Sequence, residues 1–147
     1  MADATALDLI YEAHRLLGKI EDAPRDYGTG DLLYSSDVHT VVAVSRSEGC
    51  NLTELAVSMD ISKPAASKFV KKLIRLGYLR KERPADNGKE LSLYLSDSGK
   101  RAVSAHEAFE KRIFGPLRSI EEGLAQGDRT VILDFLRSLR EALSPQK

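Results

Sequence analysis

The sequence predicts a mainly α-helical domain that carries one small β-hairpin (α+β). Three observations support this class. Apolar residues recur at helical spacing in several segments, capping residues precede those segments, and an Asn-Gly turn separates two strand-like segments. The 147 residues suffice for one domain, 1–147, with a hydrophobic core, and are too few for two comfortable ones.

Helices are predicted near both ends of the chain. Residues 5–21 have apolar side chains on two stripes, so this helix needs cover on more than one side. The last helix, 129–143, is predicted to start behind Asp128 as its cap, and it has Val131 and Leu133 outside its main apolar stripe. This surplus apolar surface predicts a homodimer built from residues 5–21 and 105–143.

Between these ends the chain is predicted to form a loop and three helices. Residues 23–30 hold one proline and two glycines, which is typical of a loop. Three helices are predicted from their N-terminal caps. The first is 36–47, with a cap among the polar residues 35–37; the second is 54–59, capped by Thr53; the third runs from 63 to about 76 and is capped by Ser62. The first of them contains four valines, which favour strands, so its capping residues decide for a helix.

A hairpin and a long helix are predicted next. Residues 78–82 and 90–95 are strand-like, and Leu91, Leu93 and Leu95 alternate with less apolar neighbours. Asn-Gly at 87–88 favours a tight turn between the strands. Ser96 is predicted to cap a helix over 97–114, which Pro116 would kink or end.

The zero net charge conceals a strong asymmetry. Residues 1–61 carry 11 acidic and 4 basic side chains, whereas residues 62–89 carry 9 basic and 2 acidic ones. Residues 90–147 hold 9 of each sign, so one short segment contains the whole positive excess. Such a segment on an otherwise acidic body predicts a surface for a polyanion; a solvated face without a partner is the alternative.

The helix from residue 63 has two distinct faces. Ala66, Phe69, Val70, Leu73 and Gly77 follow the spacing of a core-facing stripe. The candidate DNA-contacting residues are on the other side, at the helix start and on the hairpin: Ser62, Lys63, Pro64, Ala65, Ser67, Lys68, Lys71, Lys72, Arg75, Arg83 and Lys89. Small residues at the helix start would let it enter the major groove, with Ser67 and Lys68 near base edges. Cations further along the helix would meet phosphate.

The order of these elements is that of a winged helix-turn-helix, over residues 36–100. It predicts sequence-specific binding of double-stranded DNA. Winged helices also serve as modules for protein or RNA contact, which is the alternative. The sequence shows no P-loop, nucleophile elbow, dinucleotide-binding or zinc-protease motif, so no enzyme and no cofactor is predicted.

Four stretches of the sequence resemble the MarR family of transcriptional regulators. They are Leu-Thr-Glu-Leu-Ala at 52–56, the run from Ile to Leu at 61–73, Gly-Tyr-Leu-Arg-Lys at 77–81, and Leu-Ser-Asp-Ser-Gly-Lys at 95–100. The resemblance implies an obligate, triangular homodimer with one winged lobe on each half of a palindromic operator, most often as a repressor. The family's wing commonly carries an Asp-x-Arg pair, and this chain has Asn87, Gly88 and Lys89 there, so Arg83 is the alternative wing contact.

A small-molecule effector site is predicted where the dimerisation helices meet the winged lobe, near His14, Tyr34, His39 and His106. The weaker alternative is a metal site. Some relatives sense zinc through ligands on the second and fifth helices, which here would be His39, His106 and Glu110.

The single cysteine, Cys50, is predicted to be structural because no cation lies near it in sequence; a redox sensor is the alternative. One cysteine excludes an internal disulfide framework and favours a reduced, cytoplasmic setting. No apolar run approaches a membrane span, and the acidic N-terminus is unlike a signal peptide.

Overall fold

The computed structural model describes residues 4–84 and 90–144, and these divide into two compact units at the boundary between residues 107 and 108. The elements are α1 (Ala6–Asp22), β1 (Arg25–Asp26), β2 (Leu32–Leu33), α2 (Ser35–Arg46), α3 (Leu52–Ser58), α4 (Lys63–Arg75), β3 (Leu79–Glu82), β4 (Ser92–Leu95), α5 (Asp97–Glu122) and α6 (Gln126–Leu143). The predicted class, mainly α with one small hairpin, is confirmed. The predicted lobe 36–100 lies wholly within the first unit.

The core of the first unit is built from α2, α3, α4 and the hairpin. Val38, Val41 and Val44 follow one side of α2 and are fully buried. They meet a core that includes Leu73 of α4 and Leu93 of β4. Burial of one helical face therefore outweighs the strand preference of the valines, and the predicted helix is confirmed.

Three predicted caps are wrong by a few residues. Asn51, not Thr53, caps α3: its Oδ1 accepts from the Glu54 N–H at 2.9 Å, and its own N–H donates to Glu54 at 2.9 Å. This reciprocal pair satisfies two backbone donors, which a threonine inside the helix cannot do. Helix α2 starts one residue early, behind Tyr34. Ala125 is the N-cap residue of helix α6, so Asp128 lies in the first turn of that helix.

Pro116 does not end α5, which continues to Glu122. A proline removes one backbone hydrogen bond and costs about 3 kcal/mol inside a helix. Pro116 is exposed, so water can hydrate the carbonyl group that loses its donor. The helical residues on both sides keep their own bonds, and the prediction of a helix end near residue 114 is therefore wrong.

The hairpin pairs β3 with β4 in antiparallel register, with Leu79 opposite Leu95 and Glu82 opposite Ser92. Residues 49 and 50 add a further edge: Gly49 N–H donates to the Leu93 carbonyl at 2.8 Å, and Leu93 N–H to the Cys50 carbonyl at 2.9 Å. Leu91 precedes the paired residues and is 42% exposed, so β4 begins two residues later than the predicted strand 90–95. The predicted turn at residues 87–88 lies outside the described residues.

The predicted loop 23–30 holds the first strand of a short ribbon that the sequence did not indicate, and the second strand follows at residues 32–33. Arg25 pairs with Leu33 and Asp26 with Leu32. The Asp26 carboxylate accepts the N–H groups of Gly28, Thr29 and Gly30, at 2.8, 2.9 and 3.0 Å. These hydrogen bonds lower the pKa of Asp26. The carboxylate thus organises the turn that joins the two strands.

Helices α1 and α6 each leave their apolar side chains uncovered. Neither contains a buried residue. On α1, Leu9 is 56% and Tyr11 73% exposed; on α6, Val131 is 70% exposed. No helix in the described part of the chain is long and apolar enough to cross a membrane.

Candidate nucleic-acid interface

Helix α4 is fixed at both ends by local sequence. Ser62 Oγ accepts from the Ala65 N–H at 3.3 Å and its carbonyl from the Ala66 N–H at 3.0 Å, which confirms the predicted cap. Asp60, in the turn from α3, has a positive φ of 53°, a conformation that Asp tolerates better than most residues. Gly77, with φ of 82°, reverses the chain after the last turn.

One face of α4 belongs to the core. Ala66, Val70 and Leu73 are fully buried, while Phe69 is half-buried and Gly77 is exposed. The predicted core stripe is therefore confirmed at Ala66, Val70 and Leu73, and the helix presents its opposite face outward.

The outward face carries the predicted DNA-contacting residues. Lys63, Pro64, Lys68, Lys71 and Arg75 are exposed, and Ala65 and Ser67 are half-buried. Lys68, Lys71, Lys72 and Arg75 line one shallow depression. Closely spaced cations around a depression make a positive surface that suits phosphate groups.

Lys72 differs from the other cations of this face. Its Nζ lies 2.5 Å from Oδ2 of Asp37, whose side chain is only 2% exposed, and the lysine side chain itself is 33% exposed. A buried carboxylate without a cation would carry a large desolvation penalty, so this lysine is committed to Asp37. The predicted phosphate contact of Lys72 stays a prediction, and it would compete with this ion pair.

Lys63 has a weaker partner. Its Nζ lies 4.0 Å from Glu90 Oε1, and both side chains are more than half exposed. An exposed pair at this distance contributes about 0–1 kcal/mol, so Lys63 can leave it to meet an anion.

The base of the hairpin is held by Arg80. Its guanidinium stacks 5.2 Å from the Tyr94 ring centroid, its Nε donates to the Leu95 carbonyl at 3.3 Å, and it pairs with Glu82. Arg83 follows β3 and is exposed. Lys89, the other predicted wing contact, lies outside the described residues, so its role stays a prediction.

Two of the four predicted effector-site residues lie together. The rings of His39 and His106 meet edge to face with centroids 5.3 Å apart, and Tyr27, which the sequence did not single out, contacts His106 at 5.7 Å. Tyr34 instead lies beside Lys72, whose Nζ is 5.6 Å from its ring centroid. Across residues 4–84 and 90–144, no ring contact joins His14 to the two histidines.

The metal alternative finds little support in the described part of the chain. No group of three or more His, Cys, Asp or Glu side chains there is arranged to hold a metal ion. Glu110, its third predicted ligand, belongs to the second unit.

Cys50 is buried and forms no disulfide. Burial, followed by the nearby negative charge of Glu54, raises the pKa of its thiol. A raised pKa disfavours the reactive thiolate, which supports the structural interpretation over a redox sensor.

Tyr78 is a buried residue of this region that sequence reasoning missed. Its hydroxyl donates to Asp31 Oδ2 at 3.0 Å and contacts the Thr29 hydroxyl, and burial is the main cause that raises its pKa. The tyrosine thereby ties the loop 26–31 to the end of α4. Its partners lie 47 and 49 residues away in sequence, so no local pattern reveals them.

A short helix, a turn, a second helix with cations on one face, and a β-hairpin follow one another in this lobe. This order defines the class of winged helix-turn-helix proteins. Within that class, residues 33–90 match the model of the MarR family. The resemblance to this family that the sequence shows is therefore confirmed for residues 33–90.

Two curated relatives are named as transcriptional regulators of the helix-turn-helix type. The chain is 28% identical over 87 residues to YhjH, an uncharacterised HTH-type transcriptional regulator of Bacillus subtilis strain 168, covering 59% of this chain and 50% of that protein. It is 24% identical over 112 residues to the HTH-type transcriptional regulator PchR of the same organism, covering 76% and 66%. The chain thus spans about half to two thirds of the length of these relatives.

The fold is similar to that of Lactococcus lactis ZitR in complex with DNA, with a TM-score of 0.78 at 14% identity over 95% of this chain and 99% of that one. It is also similar to Streptococcus pneumoniae FabT in complex with DNA, with a TM-score of 0.71 at 16% identity over 93% and 94%. At identities this low, the structural similarity establishes a shared fold and nothing more.

Proposed function

We propose that this chain is a sequence-specific regulator of transcription that binds double-stranded DNA as a homodimer on a palindromic operator and represses the gene beside it. The observation that carries the proposal is the outward face of α4, where Lys68, Lys71 and Arg75 are exposed opposite a fully buried apolar face. The DNA complexes of ZitR and FabT support this use of the fold.

Within this proposal the residues of α4 divide by position. Pro64 and Ala65 at the helix start offer apolar contact to thymine methyl groups, and Ser67 and Lys68 reach base edges. Lys71 and Arg75, nearer the helix end, bind phosphate. Arg83 supplies the cation of the wing, where the groove is narrow and negative.

The dimer is proposed from the uncovered apolar surfaces of α1 and α6. A second copy related by a two-fold axis covers such surfaces with the same residues. The same axis would place the two α4 helices about 34 Å apart, one turn of DNA.

Selection of random DNA duplexes by the full chain tests the proposal. We expect an inverted repeat whose half-sites lie about 10 base pairs apart. Ser67→Ala or Lys68→Ala should cost about 1–3 kcal/mol of binding per half-site at particular bases. The matched control, Lys71→Ala, should weaken every duplex about equally. Enrichment of no duplex, with binding only to RNA or protein, would favour the alternative use of a winged helix.

Release by a small molecule is proposed for the region of His39 and His106. Their edge-to-face rings, one exposed and one buried, offer aromatic and polar contacts to a ligand entering from solvent. A compound that acts there should raise the melting temperature of the protein and lower its affinity for the selected duplex. His39→Ala should abolish both effects while leaving duplex affinity unchanged without the compound.

A further inference from the structure

Asp37 lies outside the DNA-facing surface, yet it holds one of that surface's cations. Asp37 lies in the first turn of α2, and the whole residue is only 1% exposed. A single oxygen, Oδ2, accepts from Lys72 Nζ at 2.5 Å and from the Tyr34 backbone N–H at 3.1 Å. The Tyr34 ring flanks the same ammonium at 5.6 Å.

These contacts fix both the distance between the Asp37 carboxylate and the Lys72 ammonium and the direction in which the ammonium lies. The carboxylate is oriented by the backbone of its own helix, so the ammonium bound to it has one preferred position. The buried face of α4 is made of Ala66, Val70 and Leu73, whose apolar contacts are not directional. The packed apolar face sets the approximate rotation of α4 about its axis, and the ion pair adds a directional restraint to it.

Lys72 is one helical turn beyond Lys68, on the same face of α4. With a helix radius of about 5–6 Å including side chains, a rotation of about 10° moves a side-chain tip by about 1 Å. That displacement is enough to weaken a hydrogen bond to a base edge. A restraint on Lys72 is thus a restraint on the residues that read bases.

We propose that Asp37 is a positioning residue for DNA recognition: it binds Lys72, withholds that charge from phosphate, and sets the rotation of α4 at which Ser67 and Lys68 face the bases. This inference rests on the proposed function of α4 as the DNA-reading helix. It changes the role of Lys72 from phosphate contact to anchor.

The test uses the full chain, the duplex that it selects from a random library, and a scrambled duplex of equal length. Two quantities are measured: the ratio of the two dissociation constants, and the slope of log affinity against log salt concentration. Each phosphate contact contributes about −0.9 to that slope, so the slope counts the charges that DNA neutralises.

Lys72→Met should leave the slope unchanged and reduce the affinity ratio about tenfold or more. The matched control, Lys71→Met, should make the slope shallower by about 0.9 per half-site and leave the ratio unchanged. Lys72→Arg should retain most of the wild-type ratio because the guanidinium can still bind Asp37.

Asp37→Asn should act in the opposite sense on charge. It frees Lys72, so affinity for the scrambled duplex should rise and the slope should steepen by up to about 0.9 per half-site, while the ratio falls. A purely structural role of Asp37 would not raise the affinity for scrambled DNA. Urea unfolding of each variant gives the folded fraction by which the constants are corrected.

Two results would overturn the proposal. One is a Lys72→Met protein that loses slope and weakens both duplexes equally, as the Lys71 control does. The other is an unchanged affinity ratio in Lys72→Met. A wild-type chain that shows no preference between the two duplexes would instead overturn the proposed function itself.

Discussion

Replacement of Gly99 by alanine should destabilise the first unit sharply. Gly99 is in the first turn of α5, and an added Cβ would lie 2.3 Å from the Tyr78 carbonyl oxygen and 3.3 Å from Leu95 Cδ2. The obstacle is backbone, so it cannot rotate away. The same carbonyl accepts from the Ser96 N–H and from Ser96 Oγ, both at 3.0 Å, and moving it weakens these bonds too.

The magnitude follows from these contacts. Overpacking a core typically costs about 1–3 kcal/mol, and each weakened hydrogen bond adds up to about 1 kcal/mol. We therefore expect Gly99→Ala to lower the free energy of unfolding by about 3 kcal/mol. Gly115, on the same helix, has nothing within 4 Å of an added Cβ, so Gly115→Ala should stabilise by up to about 1 kcal/mol through helix propensity.

Urea unfolding followed by circular dichroism, at one fixed protein concentration, measures both variants. The opposite signs for one substitution on one helix exclude a general effect of added methyl groups. A Gly99→Ala protein within about 0.5 kcal/mol of wild type would show that the close approach of α5 to Tyr78 is not a constraint on the fold.

Three further predictions concern other parts of the chain. Asn51→Ala should cost about 1 kcal/mol of unfolding free energy, since it removes the cap of α3, whereas Thr53→Ala should cost less than about 0.5 kcal/mol. The Cys50 thiol should react slowly with a disulfide reagent at pH 8 until urea unfolds the chain, and a fast reaction in the folded state would contradict its burial. Because the pKa of this thiol is raised in the folded state, the free energy of unfolding should also fall as the pH rises above the ordinary cysteine pKa. Leu136→Glu on α6 should shift sedimentation from dimer to monomer, while Ser138→Glu should leave the dimer intact.

Sequence reasoning succeeded where the signal is local. The capped, amphipathic helix α4 was predicted to within a residue because its cap, its buried stripe and its terminal glycine are all contained in a short segment. The alternation of Leu93 and Leu95 likewise located β4. These features depend on spacing along one element, which the sequence displays directly.

The features that the sequence did not predict depend on contacts between residues far apart in the chain or on a choice between two equally suitable residues. The sequence offers Asp37 as a cap candidate for α2, and nothing local shows that Lys72, 35 residues away, binds it. Asn51 and Thr53 are both good caps, and the reciprocal bonds with Glu54 decide between them. Pro116 shows that an exposed proline can be accommodated in a long helix.

The salt dependence of DNA binding tests the central claim most directly. Among the residues that the structure describes, Lys71, Arg75 and Arg83 are exposed cations without an ion pair that the proposal assigns to the DNA backbone, so a dimer presents six. At about −0.9 per contact, we predict a log–log slope of about −5 for the selected duplex. Failure to bind any duplex at low salt, or a slope shallower than about −3, would contradict the account of α4 and the wing as a DNA-reading surface.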